Sequence, residues 1–299
     1  MNTSLPSRRK SLPKSVIFAF FVIAFFCVLA ILAPVISPND PDERGFTNAD
    51  LPPMWVHNAY ISGTVEHPLG TDMLGRDILS RYLYGVRTAM VLIVLSIPFT
   101  ALLGTLIGML SGFYNRRMDA FLVAIMDILQ SLPGIMFTVA VILILRKLLP
   151  PTWFSGVLVL VTGYSVISWV SLARMVRAEV LRLKSMLFFE AAVSLGATNK
   201  RIITRHLFPN IAHLVLVWVI NNVPAIILME AVLGYIGVNL STSVSENEFT
   251  IVSWGGLFYT GRSTLTRNPM LLFVPALSLL LLSMSFVLIG DYYNRKHTQ

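Results

Sequence analysis

Charge is what this sequence has least of. Only 13% of its 299 residues are Asp, Glu, Lys or Arg, against roughly 25% in ordinary soluble domains. The shortage is concentrated in long gaps. None of the four occurs between Lys14 and Asp40, Arg87 and Arg116, Lys147 and Arg174, Arg205 and Glu230, or Arg267 and Asp291. A sixth stretch, from Asp119 to Arg146, is interrupted only by Asp127. Helices buried in a large soluble core would need polar faces elsewhere, and these are scarce. Cysteine is also nearly absent: Cys27 stands alone, inside the first apolar run, which excludes an intramolecular disulfide. There is no G-x-x-x-x-G-K-[ST] phosphate loop, no H-E-x-x-H and no G-x-S-x-G, so no nucleotide-hydrolysing, zinc-protease or serine-hydrolase centre is legible.

What is present is apolar surface, 55% of the residues. A hydrocarbon core of about 30 Å needs about 20 mostly apolar residues as a helix. Each gap is long enough, and lipid leaves the backbone no partner but itself. The sequence therefore predicts an all-α integral membrane protein with six transmembrane helices. Their ranges are about 15–36, 88–112, 119–144, 154–174, 212–237 and 269–290. The first run exceeds the 7–15 residues of a signal-peptide core and reads as a retained helix. Pro98, Pro133, Pro224 and Pro275 fall within the second, third, fifth and sixth spans, where they kink helices and free carbonyls.

Lys and Arg collect on the cytoplasmic side of membrane proteins. With the amino terminus inside, the inner segments hold 15 of the 23 basic residues. This places a cytoplasmic tail at 1–14, an external segment at 37–87, a five-helix core at 88–290 with an inner loop at 175–211, and a cytoplasmic tail at 291–299. The asymmetry accounts for the net charge of +8 without nucleic acid. In the external segment, residues 77–84 carry apolar side chains at helical spacing and predict a short helix at the membrane interface. Gly104, Gly108 and Gly112 line one face of the second span, permitting close helix approach, within the chain in preference to between subunits.

The inner loop has the most to say. Val176, Val180, Leu183 and Leu187 form a helical stripe. Gly196 interrupts it, Thr198 or Asn199 can cap a second helix, and Pro209 is expected to stop that helix. The stretch from Glu190 to Asn210 resembles the EAA loop of ATP-binding cassette importer permeases: EAA, three residues, Gly, a spacer, then Pro. Glu190, Ala191, Ala192, Gly196 and Pro209 match at the right spacing, with Leu195 beside the glycine. A second stretch, His67–Gly85, resembles the outer signature of the dipeptide/oligopeptide/nickel permease family, C-type subunit. Further similarity lies at Asp127–Pro133, Ser253–Gly255 and Gly290–Asp291. The segments 230–237 and 239–250 depart from the family pattern.

The resemblance implies a type I ABC importer permease fold in a bacterial or archaeal inner membrane. It implies a B-type permease partner, two cytoplasmic ATPases that bind the ATP and Mg, and an external solute-binding protein, with no cofactor in this chain. Glu190, Ala191, Ala192, Leu195, Gly196 and Pro209 would couple to the ATPases. Peptide is the expected cargo, with nickel or oligosaccharide as alternatives. Asp127, Gln130, Asn221, Asn222 and Glu230 are costly in lipid and are the candidates for a translocation path, with helix packing as the competing role. A stand-alone secondary transporter or channel is the rival class; it predicts inverted repeats with paired carboxylates, and none is discernible. An intramembrane enzyme would need a nucleophile or metal constellation that is not evident.

Overall fold

The computed structural model describes residues 12–57, 62–150, 152–238 and 251–297. The basic cluster Arg8–Lys10 and the divergent segment 239–250 lie outside these residues. The described residues form no strand pairing beyond two isolated bridges in the outer loop. Ten α-helices follow one another among the described residues: α1 (Lys14–Ile36), α2 (Ile78–Phe113), α3 (Arg116–Ser131), α4 (Gly134–Leu148), α5 (Trp153–Lys184), α6 (Leu187–Ser194), α7 (Asn199–Ile202), α8 (Phe208–Tyr235), α9 (Trp254–Thr264) and α10 (Met270–His297). Five stretches are long and apolar enough to cross a bilayer, and counting the bent pair α3–α4 as one span makes six.

Several boundaries differ from expectation, each for a local reason. The predicted interfacial helix at 77–84 is not separate. It forms the first turns of α2, which runs 36 residues, about 54 Å at 1.5 Å per residue. Asp77 caps it, accepting from the Ser80 N–H at 2.7 Å, and no proline follows before the span; Gly85 is carried within the helix, close against Trp254. The third span is broken rather than kinked. Leu132 is extended (φ −83°, ψ 140°), as the residue before a proline prefers. Pro133 then opens α4, and the two halves are bent by 95°.

Helix α5 continues without a break to Lys184. Its stripe Val176, Val180 and Leu183 is buried, but Leu187 is exposed, because a turn at Ser185–Met186 starts a new helix. Thr198 does cap α7, accepting from Arg201 N–H. Pro209 does not stop the chain's helical course. A π turn at Ile203–Leu207 leads directly into α8. Pro209 then sits in the first turn of α8, where its missing N–H costs no helical bond.

The packing seam is α2 against α5. A Cβ on Gly104, Gly108 or Gly112 would lie 2.9, 2.5 or 2.9 Å from the carbonyl oxygens of Trp169, Ala173 and Arg177. The three glycines thus serve packing within the chain. Helix α9 is one that the sequence does not predict. Ser253 caps it, accepting from Gly256 N–H at 3.2 Å. Trp254, fully buried, meets Phe26 of α1 edge-on and stacks on Tyr82 of α2.

Candidate coupling surface and translocation path

The knob at α6–α7 is built on one covered edge and one bare face. Met186, Phe189 and Ala197 pack against a core of Val180, Leu183, Ile202, Leu207 and Trp218. Above that edge, α6 buries none of its own residues. Leu187 is 83% exposed and Leu195 is 88% exposed; Glu190 and Ala191 are exposed beside them. Apolar side chains displayed this openly on a short helix mark a surface made for contact.

The turn after α6 fixes the geometry. Ala197 N–H donates to Ala192 O at 3.1 Å and Gly196 N–H to Val193 O at 2.9 Å. This is the paired bonding of a Schellman cap, and it requires a left-handed residue. Gly196 supplies it with φ +75°, and a Cβ placed there would meet nothing within 4 Å; the glycine is there for backbone shape, not for space. Pro209 is exposed at the start of α8, on the far side of the π turn.

The path candidates are not brought together as one group. Asn222 lines a cleft of about 160 Å³ with Gly134 and Thr138 of α4, Tyr164 and Ser168 of α5, and Met229 of α8. The cleft lies where α3–α4 bends and next to Pro224. Asn221 points elsewhere: a Cβ on Gly290 would lie 2.4 Å from its Oδ1, so it sits in the α8–α10 contact. Asp127 and Gln130 are exposed on α3 or nearly so, and Asp127 accepts from the Arg174 guanidinium at 2.5 Å. Glu230 is only 4% exposed. Its Oε1 accepts from Gly255 N–H at 3.0 Å, binding α8 to the first turn of α9.

Sequence reasoning misses Thr138, Tyr164 and Ser168, hydroxyls set in apolar spans. Their spacing carries no motif, and only the α4–α5–α8 packing gathers them. It also misses Asp119 and Arg177, which in the sequence are simply charges flanking the spans.

Comparison with known proteins agrees with this architecture. Residues 104–299 match the family described as the binding-protein-dependent transport system inner membrane component. Residues 14–53 match the N-terminal TM domain of oligopeptide transport permease C. The oligopeptide transport system permease protein OppC of Bacillus subtilis (strain 168) is 30% identical over 93% of this chain and 83% of its own length. The dipeptide permease DppC of the same organism is 29% identical over 95% of this chain and 81% of its own. The glutathione transport system permease protein GsiD of Pectobacterium atrosepticum is 31% identical over 75% of this chain and 70% of its own. An inward-facing structure of the MetNI methionine ABC transporter superposes with a TM-score of 0.50 at 16% identity, covering 72% of this chain and 97% of that one; it bears on the fold alone. This chain therefore belongs to the binding-protein-dependent transport system inner membrane component family, as a membrane-embedded permease subunit of an ATP-binding cassette importer.

Proposed function

We propose that this subunit forms half of a path for short peptides, beside a B-type permease, and takes its motion from two cytoplasmic ATPases through α6. The observation that carries the reading is the bare apolar face of α6, held rigidly by the Gly196 cap and ending in Leu195. A surface this apolar on a membrane protein's polar side is stabilised by a groove on a partner. Both termini and the α6 knob lie on the cytoplasmic side, consistent with the bias of Lys and Arg. ATP and Mg belong to the ATPases, and an external binding protein delivers the solute.

Peptide cargo is supported by the named transport of the relatives: oligopeptides, dipeptides and glutathione. The cleft around Asn222 suits such cargo. Thr138, Tyr164, Ser168 and Asn222 offer neutral hydrogen-bonding groups that can serve any peptide backbone without selecting side-chain charge. In this mechanism ATP binding draws the ATPases together and moves α6. The membrane helices then turn against the partner permease and alternate the cleft between the two sides.

The test is the double substitution Leu187→Asp with Leu195→Asp in the full transporter. The expected result is normal membrane insertion and normal association with the partner permease. ATPase subunits should be lost on purification in mild detergent, and uptake should fall at least about tenfold, equivalent to about 1.4 kcal/mol or more of lost docking energy. Retention of the ATPases with normal uptake overturns the coupling reading.

A further inference from the structure

α5 is the one described helix that reaches from the outer end of the bundle to within three residues of α6. Near its inner end it holds its neighbours by charge. Arg177 makes a fork on Asp119 of α3: Nε donates to Oδ1 at 2.6 Å and a terminal nitrogen donates to Oδ2 at 2.7 Å. Ser111 of α2 donates to the same Oδ1 at 2.6 Å, so one carboxylate joins three helices. One turn earlier on α5, Arg174 meets Asp127, eight residues further along α3. Lys184 closes the set, donating to the last carbonyls of α2, Gly112 O at 3.2 Å and Phe113 O at 3.0 Å. A cation there also complements the helix dipole.

These links are unequal. The Arg174 and Asp127 side chains are 41% and 58% exposed, whereas those of Arg177 and Asp119 are 31% and 22% exposed. A paired fork that is partly withdrawn from water is both stronger and more directional than a single exposed contact. The apolar contact beneath it centres on Met126 of α3, packed against Trp169, Val170 and Ala173, with Leu122, Val123, Ile125 and Leu129 of α3 partly buried around it. Beyond the 95° bend, α4 is gripped by the same helix. A Cβ on Gly163 of α5 would lie 2.5 Å from Ile142 Cγ1. Both arms of the broken span are therefore fastened to α5, with the Asn222 cleft lying at the bend between them.

We infer that the Arg177–Asp119 fork, braced by Ser111, is the positioning element that carries a displacement of α6 through α5 into the broken span α3–α4. Lys184 carries the same displacement into α2. This rests on the coupling role given to α6 above. Neither Arg177 nor Asp119 lines the Asn222 cleft; both act by holding α3 in register with α5. Apolar packing is non-directional, whereas a two-bond fork fixes both distance and orientation.

The experiment uses the complete transporter, with binding protein, in proteoliposomes. ATPase retention, ATP hydrolysis and cargo uptake are measured together for Asp119→Asn, Arg177→Lys and the exchange Asp119→Arg with Arg177→Asp. In the single variants we expect ATPases retained as in the unmodified protein and hydrolysis within about twofold of it. Uptake per ATP hydrolysed should fall about tenfold, and the exchange should recover at least a third of the loss. Ser111→Ala, which removes one arm and leaves the fork, keeps the test available if a charge variant does not assemble; it should lower uptake per ATP about threefold. Unchanged uptake per ATP in Asp119→Asn or Ser111→Ala overturns the inference, as does an exchange no better than either single variant. Loss of the ATPases in these variants overturns it too, because the pair would then support docking and not transmission. None of those results touches the coupling reading, which fails separately if the Leu187 and Leu195 substitutions leave the ATPases bound.

Discussion

Gly234→Ala is expected to prevent this subunit from holding α8 and α9 together. A Cβ at that position would lie 2.1 Å from Gly255 Cα and 2.3 Å from Gly255 C. Both are backbone atoms, so no rotamer change relieves the clash. The reverse substitution, Gly255→Ala, meets Glu230 O at 2.6 Å and Gly234 Cα at 2.7 Å. Helix α9 must therefore withdraw from α8 as a body. That movement would break the Gly255–Glu230 bond and pull Trp254 from Phe26 and Tyr82. Overpacking usually costs about 1–3 kcal/mol, and with backbone on both sides the cost should reach about 3 kcal/mol or more. The thermal midpoint of the detergent-purified protein should drop sharply, and uptake should be abolished. Gly134→Ala is the matched control. The nearest atom to its Cβ would be Ile167 Cδ1 at 3.9 Å, an ordinary contact, so stability there should stay within about 0.5 kcal/mol.

Glu230→Ala should come close to the same damage by another route. The carboxyl group is buried, and it is the acceptor for Gly255 N–H. Removing it strands a buried donor, at about 1–3 kcal/mol, and the space left by the side chain adds a cavity cost. A total loss of about 3 kcal/mol is expected, with α9 loosened and uptake reduced at least about tenfold. Glu230→Gln separates shape from charge. Its amide oxygen can still accept from Gly255, so stability should stay within about 1 kcal/mol of the original. If Gln proves as harmful as Ala, the negative charge and not the hydrogen bond is what α9 needs. The comparison is read as two thermal midpoints and two uptake rates.

What the sequence makes legible follows from how local each signal is. The apolar runs announce their spans because lipid imposes one solution on the backbone. Pro133, Thr198 and Gly196 announce a kink, a cap and a turn, since each acts through its own dihedrals or donor set. The 95° bend at Pro133 is not legible: a proline ends a helix but does not say where the next one points. Pro209 misleads because a helix end and a helix beginning tolerate proline alike, and the π turn before it leaves no sequence mark. The stripe through Leu187 continues across a helix break for a similar reason, its apolar side chain being exposed and not buried for packing.

Helix α9 escapes a sequence reading because Trp254–Thr264 carries three glycines in eleven residues, which argue against a helix by propensity. Tertiary contact overrides that propensity: the glycines at its start and its middle let α8 and α10 approach. In the candidate site, the coupling residues stand in one contiguous segment and can be read from their spacing. The Asn222 cleft cannot, because Thr138, Tyr164 and Asn222 meet only after α4, α5 and α8 assemble. Asp119 and Arg177, 58 positions apart, are likewise a product of the fold.

The central claim is that the bare face of α6 lies on the cytoplasmic side and is covered by an ATPase. Cys27 is the chain's single native cysteine, so Leu195→Cys in a Cys27→Ser background gives one reporter thiol on that face. Val65→Cys, in the exposed outer loop, gives the opposite control. With a membrane-impermeant maleimide, the account predicts that the thiol at 195 is modified in inside-out vesicles stripped of ATPase. It should be protected when the ATPase is restored and silent in sealed right-side-out vesicles, where the thiol at 65 reacts. Labelling at 195 from the outside, or labelling from the inside that the ATPase does not block, would contradict it.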